Sequence, residues 1–416
     1  MDPTTITGIN EFLVLDAIRE EREITRPALG DKLRLSPASV SRIVRRLVQA
    51  GMVLELPGAS DGPGRNRAII RFNDRAGALL AMDLGGTKCH GALVDLAGET
   101  IAEDFRPTRE AGDPVATLLS AIATLRSEAD RRSLPVRAIV IGIPAVPDPE
   151  TGLVVAGPNV DWSGFDLVGE LQRHITEPFR IENDVKLAAI GQAWRGEGRA
   201  IAGFVTLSIG TGIGGALFAN GQLVRGRHNA AGEIGYLLTS RDQLRAEPGT
   251  VAGLESVASG PALARRAREL LAEGVTSELG AEATAADVFA AAARQDPIAT
   301  QVVDELLDHI AMAIVGIVAV VDPGRVILDG SVGRALAPYL DELRDRIAPR
   351  VPDVPELVVS KLGPNATIAG AIACALSLDR ELDARRALAE VPDDAVLTLT
   401  RPPTLGSAAS GGGFVP

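Results

Sequence analysis

A chain of 416 residues with 46% hydrophobic and 23% charged side chains has material for two or three domains with substantial cores, which excludes both a short peptide scaffold and a wholly disordered chain. Its longest apolar run, Ile310 to Val321, falls short of the roughly 18–20 residues that cross a bilayer and reads as a buried core helix; no basic-then-apolar leader is present, and the two cysteines, Cys89 and Cys374, allow at most one disulfide and no thiolate-rich metal site, so a cytoplasmic protein is expected. The net charge of −12 disfavours a nucleic-acid partner only as an average, because residues 32–75 carry nine basic side chains against Glu55, Asp61 and Asp74.

In chain order, Ile9 to Ile18 places Phe12, Leu13, Leu15, Ala17 and Ile18 at helical spacing, followed by the charged run Arg19 to Glu23. Thr25 as N-cap with Pro27 in the first turn starts a short second helix, and Ser36-Pro37 starts a third that runs to about Ala50 and stops at Gly51. On the third helix Val40, Ile43, Val44 and Leu47 form an apolar stripe. Ser39, Arg42, Arg45, Arg46 and Gln49 lie opposite, with no acid among them. Met52 to Leu56 and Ala68 to Phe72 read as two strands around a glycine-rich loop, Pro57 to Arg67, that carries Arg65 and Arg67. Three helices, a charge-segregated third helix and a basic loop between strands predict a winged helix-turn-helix over residues 1–76. Ser39, Ser41, Arg42, Arg45 and Arg46 are then candidates for the major groove, and Arg65 and Arg67 for phosphates or the minor groove. The plainer alternative is a solvated basic helix and loop in a protein-interaction domain.

From Leu79 the chain alternates as strand, Gly85-Gly86 turn, strand, Gly98 turn and strand. A Rossmann or Walker loop would lead into a helix, whereas the residues after Thr87 continue as a strand. The pattern recurs at Phe204 to Val224, where Gly210, Gly212 and Gly215 match G-x-G-x-x-G only formally, since an Asn220-Gly221 turn continues a hairpin. Such turns can offer backbone N–H groups and the Thr87 hydroxyl to a phosphate, with Asp83 beside them. Two halves that open alike imply a duplicated nucleotide-binding α/β fold with a ligand cleft between lobes; simple tight turns are the plainer reading of either one alone.

These residues resemble the ROK family, which groups bacterial sugar kinases with sugar-responsive repressors on a two-lobed, hexokinase-like and actin-like (duplicated RNase H-like) body. The resemblance covers about Gly77 to Leu376, with a first lobe at 77–200 and a second at 201–380 that includes a closing helix around Ala369 to Ala375; the Pro-rich and then Gly- and Ser-rich end, 387–416, reads as a disordered tail. It implies nucleotide-phosphate contacts by Asp83, Gly85, Gly86, Thr87 and Lys88 and by Gly210, Thr211, Gly212, Gly214 and Gly215. In IENDVKLAAIGQ it implies Asn183 as a sugar contact and Asp184 as general base and sugar contact. Asn159 in GPNVDW, Glu233 in AAGEIGYL and Glu255 in GLESVASG match further sugar-binding positions. Carboxylates and amides suit a ring of hydroxyls, and phosphoryl transfer otherwise needs positioning and charge neutralisation. A helix N-cap is the plainer role for Asp184.

The departures from the pattern are specific. Where kinases of the family bind zinc, Tyr236 stands for the histidine, and Ala246, Pro248 and Gly253 stand for thiolates, so no zinc and no other bound metal is expected. The winged helix joined to a ROK body resembles the family's sugar-responsive repressors, those for xylose and N-acetylglucosamine, more than its stand-alone glucokinases. Operator DNA, a sugar or sugar phosphate effector, and a homodimer or dimer of dimers are the expected partners, with no membrane. Regulation itself calls for no cofactor; ATP and Mg²⁺ enter if the alternative, ATP-dependent sugar kinase activity, is retained.

Overall fold

The computed structural model describes residues 3–58, 68–108, 113–147, 154–156, 165–245, 247 and 253–388. It opens with α1 (Pro3–Glu21), β1 (Glu23–Thr25), α2 (Arg26–Leu33), α3 (Pro37–Gln49), β2 (Val53–Leu56) and β3 (Ile69–Phe72). The helix starts are where the sequence puts them. Thr25 and Ser36 accept from the N–H groups of Ala28 and Ser39, and Pro27 and Pro37 occupy first-turn positions where no N–H is missed. Val40, Ile43, Val44 and Leu47 are buried in one cluster with Val14, Leu15 and Ile18 of α1. The strand β1, hidden in sequence by the charged residues before it, pairs antiparallel with β3, which pairs with β2. The loop tip carrying Arg65 and Arg67 lies outside the described residues.

Next come β4 (Ala78–Leu84), β5 (Lys88–Asp95), β6 (Thr100–Pro107), α4 (Pro114–Arg131), β7 (Val136–Ile143), β8 (Val146–Pro147), β9 (Val154–Ala156), α5 (Leu167–Gln172), β10 (Phe179–Asn183) and α6 (Asp184–Arg195). The second half contains β11 (Phe204–Ile209), β12 (Ile213–Ala219), β13 (Gln222–Val224), α7 (Arg241–Leu244), α8 (Glu255–Ala258), α9 (Gly260–Ala272), α10 (Ala285–Ala292) and α11 (Pro297–Val321). It closes with β14 (Arg325–Asp329), α12 (Gly330–Ala335), α13 (Leu340–Ile347), β15 (Glu356–Val359) and α14 (Ala366–Ala387). The two five-stranded sheets run β10-β7-β4-β5-β6 and β13-β12-β11-β14-β15. In each, the first three strands of the half are antiparallel and the last two are added in parallel, so the duplication announced by the glycine hairpins extends through the topology.

Strand alternation divides the first sheet cleanly: Leu80, Met82, Leu93, Ile139 and Ile141 face α4 and α5, while Leu79, Ala81, Ala92, Val94, Ala138 and Val140 face the other way. That second face is covered by α14, which corrects the sequence grouping of the closing helix with the second lobe. Ile368, Ala371, Ile372, Ala375, Leu378 and Leu382 belong to the first lobe's core, and the helix continues to Ala387. It presses on α6 so closely that a Cβ on Gly370 would sit 1.7 Å from the Leu187 carbonyl oxygen. The same apolar cluster runs on into Val14, Ile18, Leu29, Ile43 and Phe72, so the winged helix and the first lobe share one core.

A buried ionic seam accompanies that core. Arg19 of α1 bonds Asp379 and Asp383 of α14, both at 2.8 Å, and Arg137 of β7 bonds the same two carboxylates at 2.5 and 2.7 Å. The Arg19 guanidinium also lies 4.7 Å from the centre of the Phe72 ring. Among the described residues no helix is long and apolar enough to cross a membrane. The Ile310–Val321 run forms the end of α11, which buries Ile310, Ile314, Ile317 and Val318 but turns Met312 and Val320 outward.

Candidate functional site

A cleft of about 440 Å³ is lined from both lobes: by Gly86 and Thr87 of the first glycine turn, Asn183 and Asp184 at the start of α6, Ser208 and the loop Gly210 to Gly215, and Glu233, Tyr236 and Glu255. Strand β10 delivers the catalytic candidates. Asn183, at its end, caps α6 by accepting from the Lys186 N–H at 3.1 Å, and its amide donates to the Ala145 carbonyl and to Asp184, both at 3.3 Å. The cap is therefore Asn183, and Asp184, the first residue inside the helix, accepts from the Val185 N–H at 2.8 Å.

Burial, reinforced by the nearby charge of Asp83, pushes the Asp184 carboxyl up to about 7. Burial likewise pushes Asp83 up to about 6 against the pull of Lys88. Glu233 is raised by burial and by Glu255 in spite of Lys186. Glu255 is fixed by the Ile213 N–H, 2.7 Å from Oε2, which ties α8 to the second glycine loop. The segment bearing Glu233 lies on that loop because Gly215 donates to the Gly232 carbonyl at 2.8 Å. Gly232 adopts φ 92°, and a Cβ there would come within 2.3 Å of the Gly215 oxygen. A carboxyl poised near neutrality, between two turns rich in backbone N–H groups and beside two further carboxylates, is equipped to receive a hydroxyl proton and to bind a polyhydroxylated ring.

The structure thus brings together Gly86, Thr87, Asn183, Asp184, Gly210, Thr211, Gly212, Gly214, Gly215, Glu233 and Glu255. Asp83, Gly85 and Lys88 stand just outside that lining; the Gly85 N–H donates to the Lys88 carbonyl at 2.8 Å and closes the first turn. Asn159 falls outside the described residues, as do Ala246 and Pro248. Sequence reasoning missed Tyr236 as a wall of the cleft, and it missed the polar cluster of buried Glu182, Lys186 and Asn229 with half-buried Arg225. The available signal was Lys186 itself, a lysine two residues after Asp184 in a helix whose next residues are apolar. Among the described residues no group of three His, Cys, Asp or Glu side chains is arranged to hold a metal.

On α3, Arg42 and Arg45 are exposed, Ser41 is half-buried, and Ser39 accepts a hydrogen bond from the Ser36 hydroxyl at 2.9 Å. Arg46 is also exposed but meets Glu11 of α1 at 3.0 Å. The face that bears no acid of its own is partly answered by a neighbouring helix.

Comparison with known proteins gives concordant matches to both parts. The ROK family matches residues 79–377, and the MarR family matches residues 4–65. The chain is 26% identical over 386 residues to the xylose repressor of Caldicellulosiruptor bescii, covering 90% of this chain and 97% of that protein. A crystal structure of a ROK family transcriptional regulator, a homologue of the E. coli MLC protein, superposes with a TM-score of 0.75 at 25% identity over 92% of this chain and 100% of the other. A ROK family glucokinase from Streptomyces griseus, solved with glucose and AMPPNP, gives 0.61 at 25% identity over 72% and 99%.

Proposed function

Because the chain belongs to the ROK family and carries a winged helix ahead of the ROK body, we propose that it is a sugar-responsive DNA-binding repressor of carbohydrate-metabolism genes, acting in the cytoplasm. The observation that carries the reading is the shared core between the winged helix and the first lobe, since a DNA reader packed on the body that holds the cleft can answer to what the cleft binds. The xylose repressor matched over nearly its whole length supports it. In this reading Arg42, Arg45, Ser39, Ser41 and Arg46 approach base edges and phosphates from α3, while Arg65 and Arg67 meet phosphates or the minor groove. A homodimer would set two α3 helices about 34 Å apart on a palindromic operator. A sugar or sugar phosphate, held by Asn183, Asp184, Glu233 and Glu255 with Asn159, acts only through its differential affinity for the DNA-competent and incompetent forms.

A second reading, ATP-dependent sugar phosphorylation, is favoured by one specific feature: the Asp184 carboxyl is held near neutrality in the cleft that both glycine turns line. Asp184 would accept the proton of the attacking hydroxyl while the glycine turns receive the nucleotide phosphates, as the glucokinase solved with AMPPNP suggests. Asp83, near enough to Asp184 to raise its carboxyl, offers with the nucleotide phosphates an oxygen donor set that fits Mg²⁺, so Asp83 would hold the ion, which supplies charge neutralisation when bound. Zinc does not fit, because Tyr236 and Gly253 offer no thiolate or imidazole where the family's donors stand.

The deciding experiment screens monosaccharides and their phosphates for thermal stabilisation, then assays the hits for release of the protein's own promoter DNA and for ADP formation. A ligand at 100 times its Kd adds about 2.7 kcal/mol, well within reach of a melting curve. Promoter affinity equal to that for random duplex, with and without every hit, would end the repressor reading. ADP formation without any DNA response would install the kinase reading in its place.

A further inference from the structure

Directly beneath the cleft carboxylates lies a cluster that neither the glycine turns nor the sugar positions account for. Glu182 and Lys186 come from β10 and α6 of the first lobe; Arg225 and Asn229 come from the second-lobe segment that leads to Glu233. Glu182, Lys186 and Asn229 are 2%, 1% and 8% exposed. Glu182 takes the Arg225 guanidinium on Oε2, and on Oε1 it accepts from the Asn183 N–H at 3.0 Å and the Asn229 amide at 3.5 Å. The Lys186 ammonium donates to the Asn229 main-chain carbonyl, and to Asn229 Oδ1 at 3.2 Å. Asn229 itself is held at φ 56°, a left-handed conformation that asparagine tolerates better than most residues.

A lysine is seldom buried unless something compensates its charge. Within this cluster Glu182 is shared by Arg225 and Lys186, and the Lys186 ammonium has Glu233 as its second carboxylate. The carboxylates facing Glu233 are Asp184 on α6 and Glu255 on α8; Lys186 is the cation whose charge counters the rise in Glu233, with Arg225 and Glu182 behind it. The hydrogen bonds from Lys186 therefore do two things at once. They tie the 225–233 segment of one lobe to the first turn of the helix that begins with Asp184 in the other, and they put a positive charge under the acceptor that the sugar would use.

We infer that Lys186 is a positioning residue for the effector sugar, clamping the segment that bears Glu233 across the lobe boundary and serving as the buried counter-charge that keeps Glu233 an acceptor. This rests on the sugar-binding reading of the cleft.

The test uses the full-length protein, D-xylose and D-glucose as calorimetric probes, and three variants: Lys186→Met, Lys186→Arg and Asn229→Gly, the last keeping the left-handed backbone. Lys186→Met is expected to weaken the probe that binds the parent by about tenfold or more near neutral pH, as removal of a charged hydrogen-bond partner does. Affinity should partly recover as pH is raised, because burial and Glu255 push the Glu233 carboxyl up and, without the cation, a higher pH is needed to ionise it. Lys186→Arg should keep most of the affinity, and Asn229→Gly should lose part of it. An unchanged affinity and pH profile in Lys186→Met, or an equal loss in Lys186→Arg, would overturn the counter-charge. Should Lys186→Met not fold, parental affinity in Asn229→Gly would overturn the clamp. If neither probe binds the parent, the choice of sugar is left to the wider screen, and hydrogen exchange decides the clamp. Residues 225–233 should then exchange about tenfold faster in Asn229→Gly than in the parent, and equal rates would overturn the clamp.

Discussion

The seam between α1 and α14 and the floor of the cleft both bury carboxylates, yet they treat them oppositely. At the seam two arginines meet two aspartates in a closed ring of four contacts, 2.5 to 2.8 Å long. In the cleft burial drives Asp83, Asp184 and Glu233 upward, Asp184 further by Asp83 and Glu233 and Glu233 further by Glu255, with Lys88 and Lys186 as partial counterweights. Balanced charges hold two parts of a chain in register. Unbalanced ones are kept at a cost in stability, which suits a site that waits for a ligand to complete it.

Breaking the seam should have the largest effect. Asp379→Ala leaves Arg19 and Arg137 sharing one buried carboxylate and is expected to cost about 3–5 kcal/mol in denaturant-induced unfolding; a loss of under about 1 kcal/mol would reduce the seam to an ordinary surface bridge. In the cleft the sign should reverse. Asp184→Asn is expected to cut any sugar phosphorylation by roughly 10²–10⁴-fold while stabilising the fold at alkaline pH. The reason is that the folded carboxyl, at about 7, lies above its ordinary 3.8. The parent therefore loses stability as pH climbs between those values and the variant does not. Melting curves at about pH 4 and pH 8 should show the two proteins close together at the first and the variant ahead at the second.

Smaller effects should leave both regions untouched and so sharpen the contrast. Arg42→Ala is expected to weaken promoter binding by about 1–3 kcal/mol with relaxed preference at one base position, whereas Arg65→Ala should weaken all duplexes alike and lower the salt slope by about 1. Neither should move the melting temperature or the sugar affinity. A shift in either quantity would mean that the DNA face is part of the folded body's ion network after all.

Much of this was legible in the residues because it is local. Ser36-Pro37, Thr25 with Pro27, and the stripe Val40, Ile43, Val44 and Leu47 specify the second and third helices within a few positions of sequence. Paired glycine hairpins declare the duplication, and most of the motif residues do meet in one cleft. What escaped is non-local or short. Strand β1 is three residues long and exists because β3 lies beside it. The attachment of α14 to the first lobe is decided by which sheet face lacks a cover, and that cannot be read from the helix alone. Lys186 looks like a surface lysine until Asn229, from the other lobe, is brought over it.

The seam also sets a timetable. Arg19 finds Asp379 across 360 positions of chain, so α14 must leave the ribosome before α1 can be tied to the first lobe. At about 5–20 residues per second that is a wait of roughly 20–70 seconds. A nascent or truncated chain lacking α14 would carry the exposed arginines of α3 without the helix that ties α1 to the first lobe.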